Sequence, residues 1–178
     1  IFATGITLYF MRSSSLLAAM LLPSAAALCI SCARSHDSSS SRSRPVEMAS
    51  APVAEPILRI GHGYDIHRMA TREEAGQPVV ISGVSFDGTD APDFELGCVA
   101  HSDGDVVYHS VVDAILGALT MPDIGQLFPD NDPRLRGANS EVFMVEAYER
   151  MRKRGYCIGN VDVTLICQKP RVNVRPLA

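Results

Sequence analysis

Histidines and aspartates crowd into one stretch of this chain, residues 61–113. It reads GHGYDIH at 61–67 and AHSDGDVVYH at 100–109, with Asp113 beyond, and it holds four of the five histidines. His62, His67, His101 and His109 are interleaved there with Asp65, Asp103, Asp105 and Asp113. Imidazole nitrogen together with carboxylate oxygen is the donor set of zinc and related transition metals. Spacing says which of them could converge. Asp65 and His67 stand two apart, so on a strand both side chains leave the same face. Asp105, His109 and Asp113 stand four apart, so on a helix they stack along one side. A strand offering Asp and His opposite a helix offering His gives three ligands and leaves a fourth position open. That is the arrangement of a catalytic zinc site rather than a closed structural one. Taken singly the same groups are ordinary: a lone histidine is commonly a hydrogen-bonded polar residue. Asp103, just ahead of an apolar run, also suits a helix cap.

Those ligands need elements to hold them. Residues 57–67 alternate imperfectly and are expected to form a strand, with Gly61 and Gly63 marking a bend or room for a ligand. Polar residues 69–78 read as a loop, and the β-branched stretch 79–86 reads as a second strand pairing back on the first. A further loop, 87–94, leads toward a helix expected from about 103 to 119. Val107, Val111, Ala114, Ile115 and Ala118 keep helical spacing and make its packed face. The connection 121–136 is rich in turns and carries Asp123, Asp130 and Asp132. Long connections in compact domains are often functional, although Asp-Pro and its relatives also simply start turns. Ser140 is expected to cap a helix over 141–154 that Gly155 ends. Arg150, Arg152, Lys153 and Arg154 fall in its last turns, where cations suit the helix dipole. Residues 160–166 alternate again as a third strand.

Composition narrows the partners. The 178 residues suffice for one domain, and 47% hydrophobic with 20% charged residues is globular usage. A net charge of −4 argues against nucleic acid, which needs a positive face. Five cysteines without paired spacing are not a disulfide framework, and Cys29-x-x-Cys32 lies in an apolar leader outside any redox context. Cys98, Cys157 and Cys167 suit buried thiols in a reducing compartment.

Composition changes sharply near residue 56. An Arg followed by an apolar core at 16–28 and small residues has the pattern of a signal peptide, too short for a comfortable membrane span. The following stretch, rich in Ser and Arg and poor in acids, has transit-peptide composition. Residues 1–56 are therefore expected to be a disordered two-part targeting leader, ahead of a domain at 57–178. Such a leader directs proteins to plastids with extra membranes, and no membrane association is expected once it is removed. A secreted protein with a disordered linker is the alternative.

GHGYDIH, AHSDGDVVYH, DIGQLFPDNDP and GNVDVTLICQKPR occur in this order, and together they resemble the 2-C-methyl-D-erythritol 2,4-cyclodiphosphate synthases of non-mevalonate isoprenoid synthesis. The likeness runs from about Arg59 to Arg171. It implies an α/β subunit, a mixed sheet with helices on one face, assembled as a homotrimer with active sites between subunits. It implies zinc, or a similar ion, on Asp65, His67 and His109. His101 and Ser102 match residues that contact substrate phosphates, His101 also serving catalysis. Asp123, Ile124 and Gly125, with Phe128, Pro129, Asp130, Asn131 and Asp132, match the loops that hold the methylerythritol phosphate. Cys167, Gln168, Lys169, Pro170 and Arg171 match the start of a cytidine pocket. The family's Thr-Thr-x-Glu segment, whose Glu helps hold magnesium or manganese on the substrate diphosphate, does not occur before Ala178. The domain is therefore expected to be incomplete at its C-terminus.

The implied reaction is intramolecular: the 2-phosphate of 4-diphosphocytidyl-2-C-methylerythritol 2-phosphate attacks the β-phosphorus and expels CMP. No side-chain nucleophile is required, which suits a sequence without a Ser-His-Asp or reactive-Cys arrangement. Imidazole ligates only when neutral, so activity is expected to fall as pH drops through ~6.5, where free histidine titrates. A zinc-dependent hydrolase and a non-catalytic metal-binding fragment remain as the other readings.

Overall fold

The computed structural model describes residues 2–13 and 55–172. In chain order its first elements are β1 (Phe2–Arg12), β2 (Leu58–Thr71), α1 (Arg72–Ala75), β3 (Val80–Ile81), β4 (Val84–Ser85) and β5 (Leu96–Val99). After them come α2 (Val106–Ala118), α3 (Ile124–Leu127), a 3-10 turn (Pro133–Leu135), α4 (Glu141–Lys153) and β6 (Tyr156–Cys167). The sheet runs β5–β2–β1–β6, and all its pairings are antiparallel. The mixed sheet implied by the resemblance is thus corrected, because β1 runs opposite to both of its neighbours. Helices on one face do hold: α2 and α4 pack together, α2 lies across β2 and β1, and α4 touches β6.

The strand at the centre comes from an unexpected place. Residues 2–12 fall in the stretch expected to be a disordered leader, yet they pair with β2 from Phe2↔His67 to Met11↔Leu58 and with β6 along the other edge. The reason is visible in their alternation. Phe2, Thr4, Ile6, Leu8 and Phe10 all point to the helix side and are fully buried, while Tyr9 and Met11 face outward. Burying side chains such as these contributes about 1.5–3 kcal/mol each. The apolar run at 16–28 and the Ser/Arg-rich stretch after it lie outside the described residues.

Two other expectations change. Residues 79–86 do not return to β2; β3 and β4 make their own small hairpin, turning at Ser82 (φ 52°) and Gly83 (φ 78°). β5 takes the place beside the end of β2, from Arg68↔Val99 to Thr71↔Leu96, so β2 continues past the expected end at His67. Cys157, expected to be buried, is exposed, because its position beside Met11 puts it on the outer face of the sheet.

Contact between β2 and α2 is what sets the site. Gly61 and Gly63 lie on the helix-facing side of β2, and a Cβ on either would sit 1.9 Å from a helix carbonyl, that of Ala114 or Ser110. Only glycine lets the two backbones approach this closely. Arg59, on the same face, donates to the Ala118 carbonyl at the C-terminus of α2 (2.8 Å) and pairs with Glu55. At the other end Asp105, fully buried, caps α2 by accepting from Val107 and Tyr108. Its second oxygen accepts from Gly83 N (2.6 Å), tying the hairpin turn to the helix start. Burial pushes the Asp105 carboxyl upward and its backbone donors partly offset this. No helix among the described residues is long and apolar enough to cross a membrane.

Candidate metal centre

Asp65 and His67 leave the helix side of β2, and His109 leaves the first turn of α2. Asp65 Oδ2 lies 3.0 Å from His67 Nε2 and 3.1 Å from His109 Nδ1, and the two imidazole nitrogens are 3.5 Å apart. One ligand atom from each residue falls within 4.8 Å of the others, which makes this a potential metal-binding group. The donor set, one carboxylate oxygen and two imidazole nitrogens, fits zinc or a neighbouring divalent transition metal. All three side chains are mostly shielded but reachable, at 22%, 19% and 13% exposure.

Charge balance shows in Asp65. Burial alone would raise its carboxyl, but hydrogen bonds and charge from His109 and His67 outweigh this and hold it well below the usual carboxylate range. A carboxyl depressed on folding stabilises the protein fully above its unfolded value, near 3.9, and this stabilisation is lost as pH falls through the folded value. The metal-free protein is therefore expected to be more stable than its Asp65→Asn variant at neutral pH, with the gap shrinking below about pH 4. Urea unfolding of both across that range reads it; an equal gap at pH 3 and pH 7 would contradict the pairing.

The neighbouring groups are ordered by the same helix. Asp113, one turn beyond His109, accepts from Ile124 N (2.8 Å), so α2 also anchors the loop expected to hold substrate. Asp123 caps α3 by accepting from Gln126 N (2.8 Å), with Ile124 and Gly125 inside that short turn. Phe128 stacks at 4.7 Å on Phe143, which lies 6.1 Å from the His109 ring. Asp132 caps the 3-10 turn and pairs with Arg134; that guanidinium is the main cause that lowers its carboxyl to about 2. His101, Asn131, Pro133 and Arg136 line an open cleft of about 400 Å³. Asp130 and Pro129 belong to the turn between Phe128 and that cleft.

Cys167 stands in one row across the sheet with Phe2 and His67, two strands from the metal-binding group. Gln168, Lys169, Pro170 and Arg171 follow it at the sheet end, with a cis peptide before Pro170. Cys98 offers no nucleophile: burial and the charges of Asp65, Asp103 and Asp105 push its thiol up to about 12.

One participant escaped the sequence reading. Ser140 was expected to cap α4, but its side chain makes no cap bond. Its Oγ turns instead to His109 Nε2 (2.8 Å) and Asp103 Oδ1 (2.5 Å). The motif before a helix looks the same either way, so only the positions of His109 and Asp103 reveal the difference.

Fold and site together define a class: an α/β subunit with an Asp/His/His group, able to hold a metal, set between a strand and a helix, and an open cleft lined by His101. Residues 58–176 match the YgbB family, and the chain belongs to it. It is 54% identical over 128 residues to the chloroplastic 2-C-methyl-D-erythritol 2,4-cyclodiphosphate synthase of Oryza sativa, a match covering 72% of this chain and 53% of that protein. It is 50% identical over 115 residues to the synthase of Proteus mirabilis, covering 65% of this chain and 66% of that one. A solved 2C-methyl-D-erythritol-2,4-cyclodiphosphate synthase in a CDP-bound form is 42% identical, covering 53% of this chain and 57% of that chain, with a TM-score of 0.44. The chain thus spans about half the length of the plant relatives it matches.

Proposed function

We propose that this protein cyclises 4-diphosphocytidyl-2-C-methyl-D-erythritol 2-phosphate to 2-C-methyl-D-erythritol 2,4-cyclodiphosphate, releasing CMP, in isoprenoid precursor synthesis. The observation that carries this reading is the convergence of Asp65, His67 and His109 in a chain of the YgbB family. A 2-phosphate oxygen bonds to the β-phosphorus as the bond to CMP breaks, so no water and no protein nucleophile is consumed. The difficulty is electrostatic. Two unit charges ~4 Å apart repel by ~4 kcal/mol at an effective dielectric of ~20. A divalent ion, zinc in this reading, would supply charge neutralisation and polarisation of the phosphoryl group when held by Asp65, His67 and His109.

The chain's own residues do the rest. His101 and Ser102 bind phosphate oxygens at the edge of the cleft, His101 stabilising the charge that develops as the ring closes. Asp123 to Gly125 and Phe128 to Asp132 hold the methylerythritol portion, and Cys167 to Arg171 meet the cytidine. Holding both ends fixes the in-line approach, and orientation of this kind can supply roughly 7–11 kcal/mol of a barrier. Magnesium or manganese would neutralise the substrate diphosphate when bound. The chain works as a homotrimer with sites between copies. Supporting this, the sheet face turned away from α2 exposes Tyr9, Met11, Ile60, Tyr64, Ile66 and Ile166, an apolar surface suited to self-association. Its location is the plastid, a reading supported by the chloroplastic relatives.

Incubating the zinc-loaded protein with the nucleotide in ¹⁸O-water tests the reading. CMP and a cyclic product free of label are expected. Label in the product would favour a zinc hydrolase, and zinc uptake without turnover would favour a non-catalytic binder.

A further inference from the structure

His109 faces two groups at once. Its Nδ1 points to Asp65 and His67, at 3.1 and 3.5 Å, while its Nε2 lies 2.8 Å from Ser140 Oγ and 3.1 Å from Ser102 Oγ. Ser140 is fully buried, and Asp103 is bonded to it twice: Ser140 N donates to Oδ2 at 3.0 Å, and the hydroxyl to Oδ1 at 2.5 Å. The backbone N–H of Asp105 also donates to Asp103 Oδ1 (3.2 Å). An ionised carboxylate only accepts. The hydroxyl hydrogen of Ser140 must then lie toward Asp103, which leaves Oγ with lone pairs alone to offer His109. A ring nitrogen 2.8 Å from such an oxygen has to carry the hydrogen.

The direction of this chain fixes what His109 can do on its other side. With a hydrogen held on Nε2, the position facing Asp65 and His67 is Nδ1. The hydrogen that Nδ1 shares with Asp65 Oδ2 at 3.1 Å is the one a bound cation replaces, leaving the Nδ1 lone pair aimed where the two side chains converge. We propose that Ser140 and Asp103 are positioning residues for His109, setting its tautomer and ring plane so that Nδ1 is presented to a divalent cation. Capping does not explain the arrangement: the first amide of α4, Glu141 N, is taken by Asn139 Oδ1 (2.8 Å), and Ser140 Oγ is withdrawn from the helix end. Ser102 does not duplicate the role, because among the described residues no carboxylate is bonded to its hydroxyl; it accepts from Gly104 N at 3.3 Å.

The inference rests on the reading of Asp65, His67 and His109 as a metal centre, and the test separates the two. Long-range ¹H–¹⁵N correlation spectra of the metal-free protein at pH 8 report the tautomer of each histidine ring directly. His109 is expected to carry a hydrogen on Nε2, whether or not Nδ1 also shares one with Asp65. Zinc affinity, measured by competition with a chromophoric chelator, is expected to fall roughly 10–100-fold in Ser140→Ala, the usual effect of losing a partner behind a metal-bound histidine. Ser140→Thr keeps the oxygen and is expected to restore wild-type affinity and the wild-type ring spectrum. A lone pair on Nε2 in the wild-type protein would overturn the proposal, and needs no variant to be seen. So would Ser140→Ala binding zinc like the wild type with an unchanged His109 spectrum. Failure of the wild-type protein to take up zinc would instead sink the metal-centre reading on which the proposal stands.

Discussion

Replacing Gly63 with alanine is expected to destabilise the protein by about 3 kcal/mol or more and to break up the group formed by Asp65, His67 and His109, although Gly63 is not a member of it. The new Cβ would sit 1.9 Å from Ser110 O, 2.8 Å from Ser110 C and 3.0 Å from Ala114 N. All three are backbone atoms of α2, so no side chain can rotate aside. Restoring ordinary contact takes a retreat of about 1.5 Å by the whole helix. Overpacking of this kind typically costs 1–3 kcal/mol, and here the clash is with a rigid element. The same retreat carries His109, the residue before Ser110, away from Asp65, two residues beyond Gly63. Metal ligands must hold their distances to about 0.2 Å, so a shift this large disperses the donors. Urea unfolding and zinc stoichiometry read the two effects. Zinc bound at one equivalent per chain with near-native stability would show that the close approach of β2 and α2 is dispensable.

His109→Ala probes the same centre by the opposite route. It removes a donor and leaves the scaffold: Asp65 and His67 keep their mutual contact at 3.0 Å, and Ser140 keeps both bonds to Asp103. The expected outcome is complete loss of stoichiometric zinc, beyond the roughly 10–100-fold effect of losing a supporting partner. The fold should persist, with a stability change within the ordinary range of about 0.5–3 kcal/mol. Comparing the two variants distinguishes a lost ligand from a lost scaffold. Retention of one zinc per chain in His109→Ala would refute the assignment of this histidine as a ligand.

Much of the centre could be read before any coordinates. Asp65 and His67 share a face because strand side chains alternate with period two, and this is local geometry. His109 follows from the helical spacing of the apolar residues around it, which turns one side of α2 toward the sheet. The family motifs, in order along the chain, pointed to the same three residues. Asp105 was legible only in part: its place in the helix register was clear, but its work is to cap α2 and hold Gly83. Asp103 was weighed as a cap and instead orients Ser140.

The errors share a cause. Residues 2–12 read as part of a leader because Arg12 and the apolar run at 16–28 have the pattern of a signal peptide, a compositional argument. Their alternation of buried Phe2, Ile6, Leu8 and Phe10 with outward Tyr9 and Met11 carried the strand signal all along. Nothing local, however, says that such a strand lies between two others more than forty residues away in the chain. Residues 79–86 read as one strand returning to its neighbour, but they turn at Ser82 and Gly83 and pair with themselves, since pairing depends on tertiary contacts.

Residue types, spacing and motif order were therefore enough to name the trio of side chains that converges, because alternation and helical pitch are properties of the chain itself. The central position of β1, the contact of α2 with Gly61 and Gly63, and the turning of Ser140 from helix end to histidine came from packing. Each depends on atoms distant in sequence meeting within a few ångströms, and no local pattern encodes which partners will arrive.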